Sequence, residues 1–170
     1  MGRRELLLRR EAEGWDEFAR LVDGLTPEEL ERPGYTADGW AVRDLLWHVA
    51  RWSEEAAGVL ERIAAGTWGG VDPTIEPGWI ERRNQEWFAE SRTMAVEAVL
   101  DAWRAWRRRM LAGIGGLPRL TREADEWFEE SGPLHYAEHL PDLRRWVDEL
   151  RRGGSRLAAR EIHRPRPPRP

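Results

Sequence analysis

The sequence contains neither cysteine nor lysine, and all 27 of its basic residues are arginine. Without cysteine there can be no disulfide, no thiolate metal ligand and no cysteine nucleophile, which fits a reducing cytoplasm as the predicted location. No run of about 18 apolar residues occurs, so no membrane span is predicted. The three leucines at positions 6–8 are too short an apolar run for a secretory signal.

No excess of positive charge is present either. The net charge is −4, and acidic and basic residues alternate along the chain, which argues against nucleic acid as a partner. The 170 residues amount to one domain, large enough to bury a sizeable core without disulfides. Tryptophan is abundant, with 11 copies, and its large ring can pack in a core or form the wall of a ligand pocket.

Hydrophobic periodicity predicts four helices and no strand. The helices are expected at about 4–23, 41–65, 79–112 and 133–152, each with apolar residues at spacings of three and four. A short extra turn is expected at Pro27, because Thr26 and Glu29 match a capping box. The sequence thus predicts an all-α helical bundle.

Two connections between these helices are long. Residues 66–77 are rich in glycine and proline, and residues 117–132 are expected to form an irregular packed loop over one end of the bundle. The predicted domain covers residues 1–152. Residues 153–170, which end in a run of proline and arginine, are expected to be a disordered tail.

The residues most informative about chemistry are histidines. His135 and His139 are four positions apart, so they lie one turn apart on the same face of a helix and could chelate one ion. His48, at the edge of the buried stripe of the second helix, is the candidate third ligand. Three neutral imidazoles with an open coordination position are typical of a catalytic zinc, nickel or iron site.

Ordinary packing is the alternative interpretation of each histidine. A single histidine on an apolar face is usually a hydrogen-bonded core residue, and a His-x-x-x-His spacing on a solvated helix is common by chance. Here, however, three of only four histidines lie on core-facing flanks of two helices. Burying three unpaired imidazoles is costly unless they share a partner. We therefore predict that His48, His135 and His139 bind one divalent metal ion.

Further residues are candidates for supporting this site. Asp44, one turn before His48, and Glu138, next to His139, could each orient a ligand imidazole. A solvated carboxylate is the alternative for both and is the favoured one for Glu138. Trp47, together with other tryptophans, could line a pocket above the metal, although core packing explains each of them equally well. Tyr136, between the two late histidines, is a further pocket candidate.

The segment 38–50 around His48, the late His-x-x-x-His pair and Asn84 together resemble the DinB/YfiT-like superfamily. This superfamily includes the amino-terminal domains of mycothiol-dependent maleylpyruvate isomerases. The resemblance implies a four-helix bundle of up-down-down-up order with long crossovers, often a homodimer. It also implies a divalent metal held at the positions of His48, His135 and His139 and, for some members, transfer of a low-molecular-weight thiol.

Three functions follow as hypotheses, and none of them assigns a catalytic residue. The leading one is a metal-dependent thiol S-transferase that acts on a small electrophile. The second is a metal-dependent hydrolase, which would turn over without added thiol. The third is a bundle that binds a metal or a small ligand without catalysis, as a stress protein might. All three require a small molecule and no membrane or nucleic-acid partner.

Overall fold

The computed structural model describes residues 2–71 and 76–162, and that part of the chain is all-helical, with no strand. The elements in chain order are α1 Arg3–Asp23, α2 Pro27–Glu31, α3 Val42–Ala64, α4 Trp79–Ser91, α5 Val96–Gly116, α6 Arg122–Glu129, a π-helical turn Glu130–Leu134 and α7 His135–Ile162. Within the described ranges, no helix has the length and apolar character needed to cross a membrane. The predicted helical fold class is confirmed.

In the first half of the chain, the helices begin and end close to the positions predicted from the sequence. α1 and α3 begin and end within one residue of the predicted bounds. The short helix α2 begins as the capping box predicts, since Thr26 Oγ1 accepts from the Glu29 N–H and the Glu29 carboxylate accepts from the Thr26 N–H. These matches arise because capping and amphipathic spacing are local signals.

The predicted single helix over residues 79–112 is wrong, because the structure has two helices, α4 and α5, separated by residues 92–95. Just beyond α4, Thr93 Oγ1 donates to the Glu90 carbonyl at 2.8 Å. Hydroxyl groups that bond nearby carbonyls in this way compete with the helical hydrogen bonds. The helix therefore ends at Ser91 and restarts at Val96.

The predicted irregular loop over residues 117–132 is also wrong, since it contains helix α6. Thr121 caps that helix by accepting from the Ala124 N–H at 3.2 Å. Two of its side chains, Ala124 and Phe128, are fully buried and fix it to the core. The prediction failed because the helix has only eight residues, with glycine and proline on both sides. Its hydrophobic periodicity is therefore too short to stand out from a loop.

α7 does not start at Pro133, as the sequence predicted. The chain passes from α6 through the π-helical turn, which contains Pro133, directly into α7 at His135. The wider hydrogen-bond spacing of a π turn tolerates a residue that has no N–H to donate. At its other end α7 continues to Ile162 instead of ending near Arg152, and residues 163–170 of the predicted tail lie outside the described residues.

α3 is the central helix, since most of its residues from Val42 to Leu60 are buried and it packs extensively against α5. Large buried side chains from the other helices complete the core around it, namely Leu7, Phe18, Trp87, Trp103, Met110, Phe128, Tyr136 and Leu143. A histidine among the buried residues of this helix is therefore held in a rigid frame. His48 occupies such a position.

Candidate metal centre

Three histidines that are distant in sequence meet where α3 and α7 come together. His48 comes from the second turn of α3, His135 is the first residue of α7, and His139 lies one turn further along α7. The Nε2 atoms of His48 and His135 are 2.8 Å apart. One ring nitrogen from each of the three residues lies within 4.8 Å of the other two, so the cluster could hold a divalent metal ion.

The environment keeps these imidazoles neutral. Burial, with a smaller contribution from the nearby His139, lowers the pKa of His48 to about 3. Burial also lowers the pKa of His135 well below its ordinary value, and His48 and His139 add to this effect. Burial lowers the pKa of His139 too, although the carboxylates of Glu138 and Asp142 oppose the change. At neutral pH all three rings have a lone pair available for a metal.

One ring nitrogen of the cluster, His139 Nε2, is buried and has no hydrogen-bond partner among the described residues. Asn84 lies beside the His48 ring and the Ser131 backbone lies beside the His135 ring, where each favours the protonated imidazole. Buried polar atoms are rarely left unpaired, and such a group is a common sign of an unfilled ligand position.

The donor set suits a small transition-metal ion. Two nitrogen ligands of a tetrahedral zinc lie about 3.4 Å apart, as follows from Zn–N distances of roughly 2.0–2.1 Å. His48 and His135 are closer than this, at 2.8 Å, which is the distance of a hydrogen bond between one protonated and one unprotonated nitrogen. A shift of about half an ångström, within the reach of a χ rotation, would make room for an ion.

The cluster forms the floor of an open pocket of about 1030 Å³. The pocket lies between α3, α4, α6, the π-helical turn and α7, and residues of the loop before α3 also line it. Its aromatic lining consists of Tyr35, Trp40, Trp52, Trp79 and Trp127. Because His48, His135 and His139 all line this space, a small molecule in the pocket can reach the cluster.

Aromatic rings hold the His48 imidazole in position. Trp40, Trp52 and Trp87 meet it edge to face, with ring centroids 5.7, 6.5 and 6.4 Å away. Trp40 is itself stacked on Phe88, at 5.3 Å and with nearly parallel planes. Such packing restricts rotation of the ring and so fixes the direction of its nitrogen atoms.

The supporting residues named from the sequence fall into two groups. Asn84 and Glu138 line the pocket with the histidines. Asp44, which is almost fully buried, instead accepts from the Ala41 N–H at 2.8 Å and from Ser91 Oγ at 2.5 Å. These bonds cap the amino terminus of α3 and connect it to α4, which is a structural use of the carboxylate.

Trp47 and Tyr136 point to other partners, and neither lines the pocket as described. Trp47 Nε1 donates to Glu90 Oε2 at 3.1 Å. Tyr136, although it lies between His135 and His139, is fully buried and donates to Glu11 Oε1 at 3.2 Å. Helical geometry explains the difference, because adjacent residues of a helix point about 100° apart.

Sequence reasoning missed two features near the site. Trp52 lines the pocket, and its position one turn after His48 was the signal that could have shown it. Glu11 is a fully buried carboxylate whose two oxygens accept from Arg107 Nε and Nη2 at 2.7 and 2.8 Å. A charged residue within the apolar stripe of α1 was the available sign of this pair.

Comparison with known proteins gives two findings. The model of the family described as the mycothiol maleylpyruvate isomerase N-terminal domain matches residues 12–151, a span that contains all three clustered histidines. The solved structure of an uncharacterised protein from Escherichia coli UTI89 is similar, with a TM-score of 0.73 and 13% sequence identity over 87% of this chain and 94% of that chain. At that identity the likeness concerns the fold alone. No curated protein matches the chain.

Proposed function

This chain belongs to the mycothiol maleylpyruvate isomerase N-terminal domain family, and we propose on that premise that it is a metal-dependent thiol S-transferase acting on a small electrophile. The observation that carries the proposal is the meeting of three neutral, buried imidazoles at the floor of an open pocket. The family predicts metal and thiol chemistry, and the geometry supplies a place for both.

His48, His135 and His139 are the proposed ligands of one zinc, nickel or iron ion. A divalent ion at such a site lowers the pKa of a thiol or water that binds it, which supplies a nucleophile at neutral pH. The three histidines orient the ion and do not act as acids or bases, because their lone pairs are used in binding it. Asn84 and the Ser131 backbone are positioned to set the ring orientation of His48 and His135.

The sulfur must come from outside the protein. The chain has no cysteine, so a low-molecular-weight thiol has to enter the pocket as cosubstrate. A pocket of about 1030 Å³ lies at the upper end of the range for small-molecule sites, which leaves room for a thiol beside a small electrophile. The tryptophans at its rim provide apolar surface that can exclude water from the reacting groups.

The proposal includes the family's architecture. We infer that the four long helices α1, α3, α5 and α7 form a bundle of up-down-down-up order, with α2, α4 and α6 as additions between them. A homodimer and a cytoplasmic location are part of the same proposal. Size-exclusion chromatography with light scattering tests the dimer directly.

The decisive experiment is elemental analysis of untagged protein after incubation with zinc, nickel or ferrous ion. Near one equivalent is expected in the wild type and little in His139→Ala, while His163→Ala should retain the wild-type content as the matched control. Equal metal content in all three proteins would contradict the proposal. With the metal established, turnover of an electrophile only when thiol is added supports the transferase, whereas turnover without thiol would indicate the hydrolase.

A further inference from the structure

The pocket above the histidines is lined by acidic and not by basic side chains. Six carboxylates line it, and no arginine is among the described lining residues. The acidic residues are Asp38, Glu76, Glu81, Glu130, Glu138 and Asp142. This asymmetry is unexpected in a chain with 27 arginines and a net charge of only −4.

Most of these carboxylates have no cationic partner. Glu76 pairs with Arg82 at 3.4 Å and Asp142 pairs with Arg145 at 2.7 Å. For Asp38, Glu81, Glu130 and Glu138, no ion pair occurs within the described part of the chain. Four negative charges therefore face the pocket without neutralisation by the described part of the protein, which gives the space a negative potential.

A further arginine near the pocket wall is engaged elsewhere. The guanidinium of Arg83 lies 5.7 Å from the centroid of the Trp79 ring, which lines the pocket. Its nitrogen atoms bond Glu55 at 2.8 Å and Glu86 at 3.4 Å. Because both of those partners lie outside the pocket lining, Arg83 does not offset the charge of the pocket.

The walls and the floor of the pocket also suit a cation. Four tryptophan rings line the pocket. Two of them, Trp52 and Trp79, meet edge to face, with ring centroids 6.2 Å apart and ring planes at 72°. Aromatic faces attract ammonium groups, and quaternary ammonium recognition commonly uses several rings with carboxylates. At the floor, His48 and His135 are each only 7% exposed, and His139 Nε2 is buried without a hydrogen-bond partner among the described residues.

We propose that the molecule accepted by this pocket carries a positively charged amine or quaternary ammonium group, which binds the tryptophans and carboxylates of the rim. This inference rests on the proposed function, which assigns a metal ion to the three histidines at the floor of the pocket. It adds that the substrate is positively charged. An anionic dicarboxylate would meet four unpaired like charges, whereas a cation meets opposite charge and aromatic faces. The four unpaired carboxylates also outnumber the two positive charges of a divalent ion at the floor.

The test uses three small probes of similar shape and different charge on the zinc-incubated protein. Choline is the cation, 3,3-dimethylbutan-1-ol is its neutral counterpart, and 3,3-dimethylbutanoate is the anion. Binding is followed by tryptophan fluorescence and by calorimetry at low and high salt. Choline should bind roughly tenfold more tightly than the neutral alcohol. The anion should bind most weakly, and added salt should reduce the difference.

Two variants locate the effect. The double variant Glu81→Gln/Glu130→Gln removes two exposed rim charges and should reduce the preference for choline several-fold, without changing the affinity for the neutral alcohol. Asp16→Asn is the matched control, because Asp16 is an exposed carboxylate on α1, which contributes no residue to the pocket. The control should keep the wild-type preference.

Zinc content measured on the same samples separates this inference from the proposed function. Absence of bound zinc together with a preference for choline would overturn the metal site and leave the charge class of the ligand intact. One equivalent of zinc with equal binding of the three probes, or with tighter binding of the anion, would overturn the inference. Absence of choline binding would overturn it as well.

Discussion

His48 Nε2 and His135 Nε2 lie within 2.8 Å of each other although the residues are 87 positions apart in the sequence. Only one of these nitrogens can carry a hydrogen in such a contact, and both rings are buried. The pair is therefore a preformed two-nitrogen site. His139 adds a third donor to it.

The first prediction concerns graded loss of metal affinity. His135→Ala removes a ligand and should weaken zinc binding by more than about hundredfold, which is the upper range for loss of a supporting residue. Asn84→Ala leaves all three nitrogens in place and should weaken binding by roughly tenfold to hundredfold with unchanged stoichiometry. Competition with a chromophoric chelator measures both affinities. A larger effect of Asn84→Ala than of His135→Ala would be incompatible with the assigned ligands.

The second prediction is an acid sensitivity of the metal-free protein. The pKa of His48 is about 3 in the folded chain, against about 6.5 in an unfolded one, so the unfolded state binds more protons between these values. The stabilisation is fully present above pH 6.5 and is lost as the pH falls toward 3. Urea unfolding in EDTA should show a free energy of unfolding that falls by up to about 1.4 kcal/mol per pH unit for this group.

The matched control for that experiment is His48→Gln. Glutamine is polar and does not titrate, so this variant should lose less stability between pH 7 and pH 5 than the wild type. Zinc should leave the profile at least as steep, because it binds only the neutral imidazoles and so competes with protons for them. Identical pH profiles for the wild type and His48→Gln would show that His48 does not contribute.

The parts of the fold that could be predicted from the sequence are those that depend on local spacing and capping. The bounds of α1 and α3 and the capping box at Thr26 follow from short-range spacing, and the structure matches them. The break at 92–95 depends on the Thr93 hydroxyl, whose bond to the Glu90 carbonyl competes with an otherwise good helical period. The π-helical turn at Pro133 has no sequence signature that separates it from an ordinary helix start.

The candidate site shows the same division. The spacing of His135 and His139 predicts that they share a face, and the position of His48 within an apolar stripe predicts that it is buried. The direction of neighbouring side chains is a property of packing. Asp44 lies one turn before His48 and Tyr136 lies next to His135, but they bond Ser91 and Glu11. Tyr136 points about 100° away from His135, and the Asp44 carboxylate is used at the amino terminus of α3, where it also accepts from the Ala41 N–H.

The third prediction tests the buried ion pair. Glu11 accepts two hydrogen bonds from Arg107 and one from Tyr136, and it is fully buried. Glu11→Ala would leave the guanidinium and the phenol without their acceptor, so the free energy of unfolding should fall by roughly 3–5 kcal/mol. Urea denaturation measures the loss. The control is Glu61→Ala, which breaks a two-hydrogen-bond pair with Arg109 at the surface and should change stability little.

The last prediction separates a capping role for Asp44 from a role in orienting His48. Its two oxygens already accept from the Ala41 N–H and from Ser91 Oγ. Asp44→Ala should therefore lower the free energy of unfolding by about 1–2 kcal/mol, as expected for loss of an N-cap group, and should leave zinc affinity at the wild-type value. Ser91→Ala should show a smaller loss, because the cap to Ala41 remains. Urea denaturation and chelator competition on the same preparations measure the two effects. A weakening of zinc binding by Asp44→Ala that Ser91→Ala does not share would instead assign the Asp44 carboxylate to the metal centre.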